Sequence, residues 1–144
     1  MQVFIAGIMQ GSRLDRFIDE QDYRRIIAQA IQAHDASASI IDPNELHPHG
    51  VDYGDAQAKA TLLEMAELAA QADLLVAYAP QASMGTAIEM WQAFRARVPI
   101  VTVSPLEANW VVRHLSDVVL PDLLAFQSWV ADGGLPRLLG RRVS

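Results

Sequence analysis

The sequence predicts an α/β protein in three layers, with a five-stranded, mostly parallel sheet between two sets of helices. Three observations carry this expectation. Short runs rich in Val, Ile and Leu alternate with longer amphipathic stretches along the chain, the order that a parallel sheet with right-handed crossovers requires. Leu74-Leu75-Val76-Ala77-Tyr78 is an unbroken apolar run, the mark of a central strand covered on both faces. The chain has 144 residues of which 51% are hydrophobic, enough to close one sizeable core, so one domain over residues 1–144 is expected.

Each element has its own signal. Val3-Phe4-Ile5-Ala6 is a short apolar strand that stops at Gly7, and Gly7-Ile8-Met9-Gln10-Gly11-Ser12 is a glycine-punctuated loop after it. From about Gln21 to His34, apolar residues recur at Tyr23, Ile26, Ile27, Ala30 and Ile31, one stripe at helical spacing. Ser39-Ile40-Ile41 is the second strand. Asp42 to Gly54, with Pro43, Pro48 and Gly50, reads as a loop long enough to cover a site as a lid. Asp55 to Gln71 is rich in strong helix formers and carries a stripe through Leu62, Met65, Ala66 and Ala69. After the third strand and a turn from Pro80 to Gly85, a helix is expected over Thr86 to Arg97 and a strand over Pro99 to Val103. Asn109 to Leu115 reads as a short helix, Val118-Val119-Leu120 as the last strand and Leu123 to Val130 as a closing helix. The whole is a flavodoxin- or Rossmann-like arrangement, without repeats or low-complexity segments.

Composition excludes several functions. A formal net charge of -6, with the eleven Lys and Arg scattered, repels a phosphate polymer, so no nucleic-acid strand is expected as partner. There is no cysteine, hence no disulfide, thiolate nucleophile or Cys-type zinc site, and the cytoplasm is the natural setting. Met1 to Met9 is read as a first core strand rather than a leader, and no apolar run has the length to span a bilayer. His47 and His49 lack a third ligand at metal spacing, so a solvated loop is expected there, with neither metal nor organic cofactor.

In an open parallel sheet, ligands bind outside the carboxyl ends of the strands. Two segments fit that rule, Gly7 to Ser12 and Ser83-Met84-Gly85-Thr86. Glycines allow close backbone approach, and N–H groups at a helix start favour anions. The first loop matches neither a dinucleotide fingerprint nor a Walker sequence, so a plain strand-to-helix turn stays open beside a ligand cradle. Glu89 lies three residues past Thr86, where its carboxylate can point toward the pocket mouth and the helix dipole favours its ionised form. The alternative is a capping box, with Thr86 as N-cap and Glu89 at the third position. Asp73, at a helix-to-strand junction, is expected to brace the turn. Trp91 and Phe94 read as core or interface.

Val3 to Asp15, VFIAGIMQGSRLD, together with Ala72 to Glu89, ADLLVAYAPQASMGTAIE, resembles the nucleoside 2-deoxyribosyltransferase family, and most closely its 2'-deoxynucleoside 5'-phosphate N-hydrolase branch. The resemblance runs in element order over roughly the first 105 residues. It implies an enzyme that cleaves an N-glycosidic bond, with Glu89 attacking the anomeric carbon to give a glycosyl-enzyme ester, as carboxylates do in retaining glycosidases. It further implies a phosphate-contacting role for Ser83, beside Gly85, and a sugar and phosphate loop made by Gly7, Ile8, Met9, Gln10 and Gly11. Asp42, His47 or His49 would reach the pocket from the second loop.

The chain departs from the family at three positions. Phe4 stands where the family has a strand tyrosine, Met65 where it has an aspartate that helps protonate the leaving base, and Gln10 where it has an arginine. Glu64 is adjacent to Met65, but one residue rotates a side chain by about 100° on a helix, so it takes the acid's place only if the helix is shifted. The resemblance also implies sites completed by a neighbouring subunit, through Asn109 and Arg113. Arg113 would suit a phosphate, or be an ordinary surface charge. Trp110, Phe126 and Trp129 exceed what a small surface needs, so a homodimer or higher homo-oligomer is expected. The expected ligand is a nucleoside or nucleoside monophosphate. The readings are hydrolysis, base exchange, a nucleotide-binding protein without catalysis, and a flavodoxin-like carrier.

Overall fold

Side chains alternate across a strand, and that alternation sorts the core of this protein into two layers. The computed structural model describes residues 1–9 and 21–141, so Gln10, Gly11 and Ser12 of the predicted glycine loop lie outside the described residues. In β1 (Gln2–Gly7), Val3 and Ile5 enter one apolar cluster while Phe4 and Ala6 enter another. β3 (Leu74–Tyr78) repeats the division, with Leu74 and Val76 on the first side and Leu75 and Ala77 on the second. Both strands are therefore apolar throughout, as burial on two faces demands.

β2 (Ser39–Ile41), β4 (Ile100–Val103) and β5 (Val118–Leu120) complete a five-stranded sheet in the order β2-β1-β3-β4-β5. All four pairings are parallel. The first layer is made by α1 (Asp22–His34) and α6 (Leu123–Ala131), which bring Ile27, Ile31, Phe126 and Val130 onto Val3 and Ile5. The second is made by α3 (Asp55–Gln71) and α4 (Met84–Arg95), which bring Met65, Ala69, Met90 and Ala93 onto Phe4 and Leu75. The predicted three-layer flavodoxin- or Rossmann-like α/β fold is thus present, with a sheet that is parallel throughout.

Three departures from the expected elements have local causes. Asp42 to Gly54 is not an open loop: it holds α2 (Pro43–Leu46) and a 3-10 turn at Gly50–Asp52. Pro43 occupies the first helical position, where its missing N–H costs nothing, and Asp42 caps it by accepting from Asn44 N at 2.9 Å. α4 begins two residues before the expected Thr86, because Ser83 and not Thr86 is the N-cap. It ends earlier too, since Arg97 turns the chain at φ 63° toward β4. A final helix, α7 (Gly134–Gly140), follows a turn at Gly133 with φ 79°. The sequence predicts no element after Val130; Pro136 is tolerated here because it falls in the first turn of the helix. Between β4 and β5, Asn109 caps α5 (Trp110–Leu115) by accepting from Val111 N and Val112 N.

Asp73 accepts from Gln2 N at 2.7 Å and donates its own N–H to Gln2 O, bracing the start of β1 as expected. No described helix is long and apolar enough to cross a membrane.

Candidate active site

The strand order reverses between β1 and β3: from β1 the chain moves first outward to β2, then back past β1 to β3. Such a switch point opens a crevice at the carboxyl ends of the two strands. A cavity of about 510 Å³ lies there. Gly7 at the end of β1 and Met9 after it form one wall, the N-cap Ser83 with Met84 to Thr86 and Glu89 of α4 a second, Met65 and Leu62 of α3 a third, and His47, Val51 and Tyr53 a fourth. The volume suits a small organic molecule. A smaller cavity of about 360 Å³ adjoins it across Ser83, Met84 and Thr86, reaching Asn109 and Val112 of α5.

Ser83 fixes the start of α4, accepting from Thr86 N at 3.4 Å and from Thr86 Oγ1 at 3.0 Å. With Ser83 as N-cap, Thr86 is the third residue of the helix and Glu89 the sixth. The capping-box alternative is therefore removed, and the Glu89 carboxyl is left to the cavity. Burial pushes its pKa up from 4.5 to about 8, against the opposing pull of the Arg24 guanidinium. The expectation that the helix dipole keeps Glu89 ionised is corrected: a dipole acts mainly within the first turn, and desolvation outweighs it here.

Two residues beside the crevice carry more than the sequence suggested. Arg24 is buried, and its guanidinium donates to Ile5 O at 2.9 Å, to Gly7 O at 3.4 Å, to Gln21 Oε1 at 2.6 Å and to Asp42 Oδ1 at 3.1 Å. It thereby ties the end of β1 to the residue that follows β2. Tyr23 stacks on Tyr78 with ring centroids 4.3 Å apart and donates to Ile8 O at 3.2 Å. Burial pushes its phenol above the usual range; Arg24 opposes this, while Asp42, Glu89 and Tyr78 add to it. Helical periodicity counts Tyr23 with the apolar stripe and gives no sign of a role for Arg24. Only the fold reveals that Asp42, eighteen residues on, meets Arg24.

Of the residues singled out from sequence, Gly7, Met9, Ser83, Gly85 and Glu89 line the larger cavity. Ile8 is buried, its carbonyl accepting from Tyr23 and Gln21. Asp42 is committed to Arg24 and to the cap of α2, and is not part of either lining. Asn109 lines the smaller cavity while its side chain caps α5, and Arg113 is exposed and lines neither. Glu64 is likewise outside the lining, but its carboxylate lies 3.7 Å from His47 Nε2, and His47 is in the wall. His49 is exposed. Among the described residues no group of three or more potential ligands is placed to hold a metal ion.

The two polar positions that the family resemblance would put at Phe4 and Met65 belong to one apolar cluster here. Both are apolar, so no buried hydroxyl or carboxyl is left there without a partner. Phe126, expected at the surface, is fully buried, and Trp129 packs beside it with centroids 6.4 Å apart. Trp91 and Phe94 are about half exposed and stacked at 6.0 Å on α4.

The fold and the cavity together define a doubly wound α/β protein with a cavity of small-molecule size at its switch point. No protein-family model matches the chain, and no curated protein does. Among solved structures it is similar to a 2-deoxyribosyltransferase from the psychrotolerant bacterium Bacillus psychrosaccharolyticus, with TM-score 0.63 and 15% identity, covering 88% of this chain and 90% of that one. It is also similar to a conserved protein from Enterococcus faecalis V583, with TM-score 0.54 and 17% identity, covering 99% and 98% of the two chains. These are likenesses of fold.

Proposed function

We propose that this protein hydrolyses the N-glycosidic bond of 2'-deoxynucleoside 5'-monophosphates, with Glu89 as the nucleophile. The observation that carries the reading is the position of Glu89, whose carboxyl is released from helix capping and set in the wall of a switch-point cavity. The fold shared with a 2-deoxyribosyltransferase supports the same class of chemistry. The Glu89 carboxylate attacks the anomeric carbon as the base departs with the bonding electron pair and gains a proton; water then cleaves the resulting ester and restores the carboxylate. Ser83 and the N-terminus of α4 bind the 5'-phosphate, since a helix start favours anions. The apolar wall of Leu62 and Met65 receives the base. The protein acts in the cytoplasm as a homodimer or larger oligomer, in which Arg113 reaches a neighbour's phosphate.

Base exchange is the second reading, favoured by the activity named for the fold neighbour. Chromatography of free base, after incubation with a panel of deoxynucleosides and their 5'-monophosphates with and without an acceptor base, tests both. Base released from monophosphates by the wild type and not by Glu89→Gln is the expected result. A new nucleoside formed on adding acceptor would replace hydrolysis by transfer, and nucleotide binding without release would leave a binding protein.

A further inference from the structure

A row of three polar side chains runs from the connection between β2 and α3 to the face of α3. The Tyr53 hydroxyl lies 2.8 Å from His47 Nδ1, and His47 Nε2 lies 3.7 Å from Glu64 Oε2. The two rings meet edge to face, with centroids 5.7 Å apart and planes at 90°. Tyr53 and His47 line the cavity that holds Glu89, whereas Glu64 stands outside it with its side chain 58% exposed. The row thus runs from solvent to the cavity.

We propose that Tyr53 delivers the proton that the leaving base requires, with His47 and Glu64 as positioning residues that supply and aim it. This rests on the glycosidase reading above. Departure of a base as an anion is slow, and a placed proton donor accelerates it. Met65 has no proton to give, and Glu89 is engaged with the sugar. Tyr53 has one, with a second donor behind it.

The hydrogen-bond directions follow from the two nitrogens of the imidazole. When His47 is neutral with its proton on Nε2, facing Glu64, Nδ1 can only accept, and the Tyr53 O–H is turned toward it. When His47 carries both protons, Nδ1 donates to the Tyr53 oxygen and the phenolic O–H is released toward the cavity. As the C–N bond breaks, its electron pair passes into the base. The Tyr53 proton moves to a ring nitrogen of the base, the Nδ1 proton of His47 moves to the Tyr53 oxygen, and a Glu89 oxygen bonds to the anomeric carbon. One positive and one negative charge are cancelled, and His47 is left neutral. A solvent proton entering beside exposed Glu64 resets the row.

The test compares Tyr53→Phe, His47→Gln and Glu64→Gln on two substrates: a 2'-deoxynucleoside 5'-monophosphate, and 2-deoxyribose 5-phosphate bearing 4-nitrophenol, a leaving group that departs without a proton. Tyr53→Phe and His47→Gln are expected to lower kcat/KM on the nucleotide by about 10²- to 10³-fold, and Glu64→Gln by about tenfold. On the nitrophenyl glycoside each falls by less than about threefold. Equal losses on both substrates, or none on either, would overturn the relay while leaving Glu89 chemistry standing. A wild-type protein that cleaves neither substrate would overturn the glycosidase reading and the relay with it. Circular dichroism of each variant, matched to the wild type, shows that the conservative Tyr53→Phe change acts on a folded protein.

Discussion

A cavity-wall carboxyl proposed as a nucleophile faces opposed demands, because a cavity that excludes water also favours the neutral form. At Glu89 the neutral form gains, with the pKa pushed up to about 8 by burial and only partly held down by Arg24. Two predictions follow from the sign of that shift. With the nitrophenyl glycoside, whose leaving group needs no acid, kcat/KM should rise about tenfold per pH unit below pH 8 and level off above it; a profile that falls through pH 8 would instead make Glu89 a proton donor. For stability, the folded state holds the Glu89 proton more tightly than the unfolded chain does. The stability tied to that proton is complete below about pH 4.5 and is lost as pH rises through about 8. Glu89→Gln should therefore stabilise the protein by about 1–3 kcal/mol at pH 9 and by much less at pH 5, as read by urea unfolding. The location of Glu89 past a glycine-bearing helix start was legible in the sequence. Its protonation state was not, because burial in the folded crevice sets it, and the Arg24 that opposes the shift comes from an element distant in the chain.

At the scale of elements, the end of β1 is shaped by a fit between a missing side chain and a ring. Gly7 continues the row of Val3 and Ile5, and a Cβ there would fall 2.1 Å from the Tyr23 hydroxyl oxygen and 2.5 Å from its Cζ. The ring has no room to yield, being buried and stacked on Tyr78. Gly7→Ala should accordingly cost about 1–3 kcal/mol in urea unfolding and displace Tyr23 from Ile8 O; an unchanged midpoint would show that the ring moves freely. The glycine itself was conspicuous in the sequence, although its partner was not. The converse holds for Asp42 to Gly54, where prolines and a glycine suggested an open loop. Pro43 in fact starts α2, and the segment forms the wall that carries His47 and Tyr53. Tyr53 had no periodic or motif signal, since its importance lies in a hydrogen bond to a residue six positions earlier.

For the molecule as a whole, the parallel three-layer architecture was readable because strand and helix signals alternate and the central strands are apolar on both faces. What the surface does was less readable. The aromatic residues divide: Phe126 fills the core, while Trp110 is 81% exposed and Trp91 and Phe94 face solvent on α4 beside Met84 and Ile88. An apolar face of this kind commonly marks an interaction surface. Sedimentation of the wild type should therefore give a homodimer or larger, and Trp91→Arg should shift it toward the monomer without loss of helical signal. A wild-type monomer at all concentrations would remove the shared-site role proposed for Arg113.

The proposed reaction requires that a carboxyl of this protein become covalently glycosylated during turnover. It is tested most directly by intact-protein mass spectrometry after rapid acid quench of a reaction with a 2'-deoxynucleoside 5'-monophosphate, followed by peptide mapping. An added deoxyribosyl 5-phosphate unit is expected on the peptide containing Glu89, and none on Glu89→Gln. Base release that persists in Glu89→Gln, with no adduct on the wild type, would contradict it.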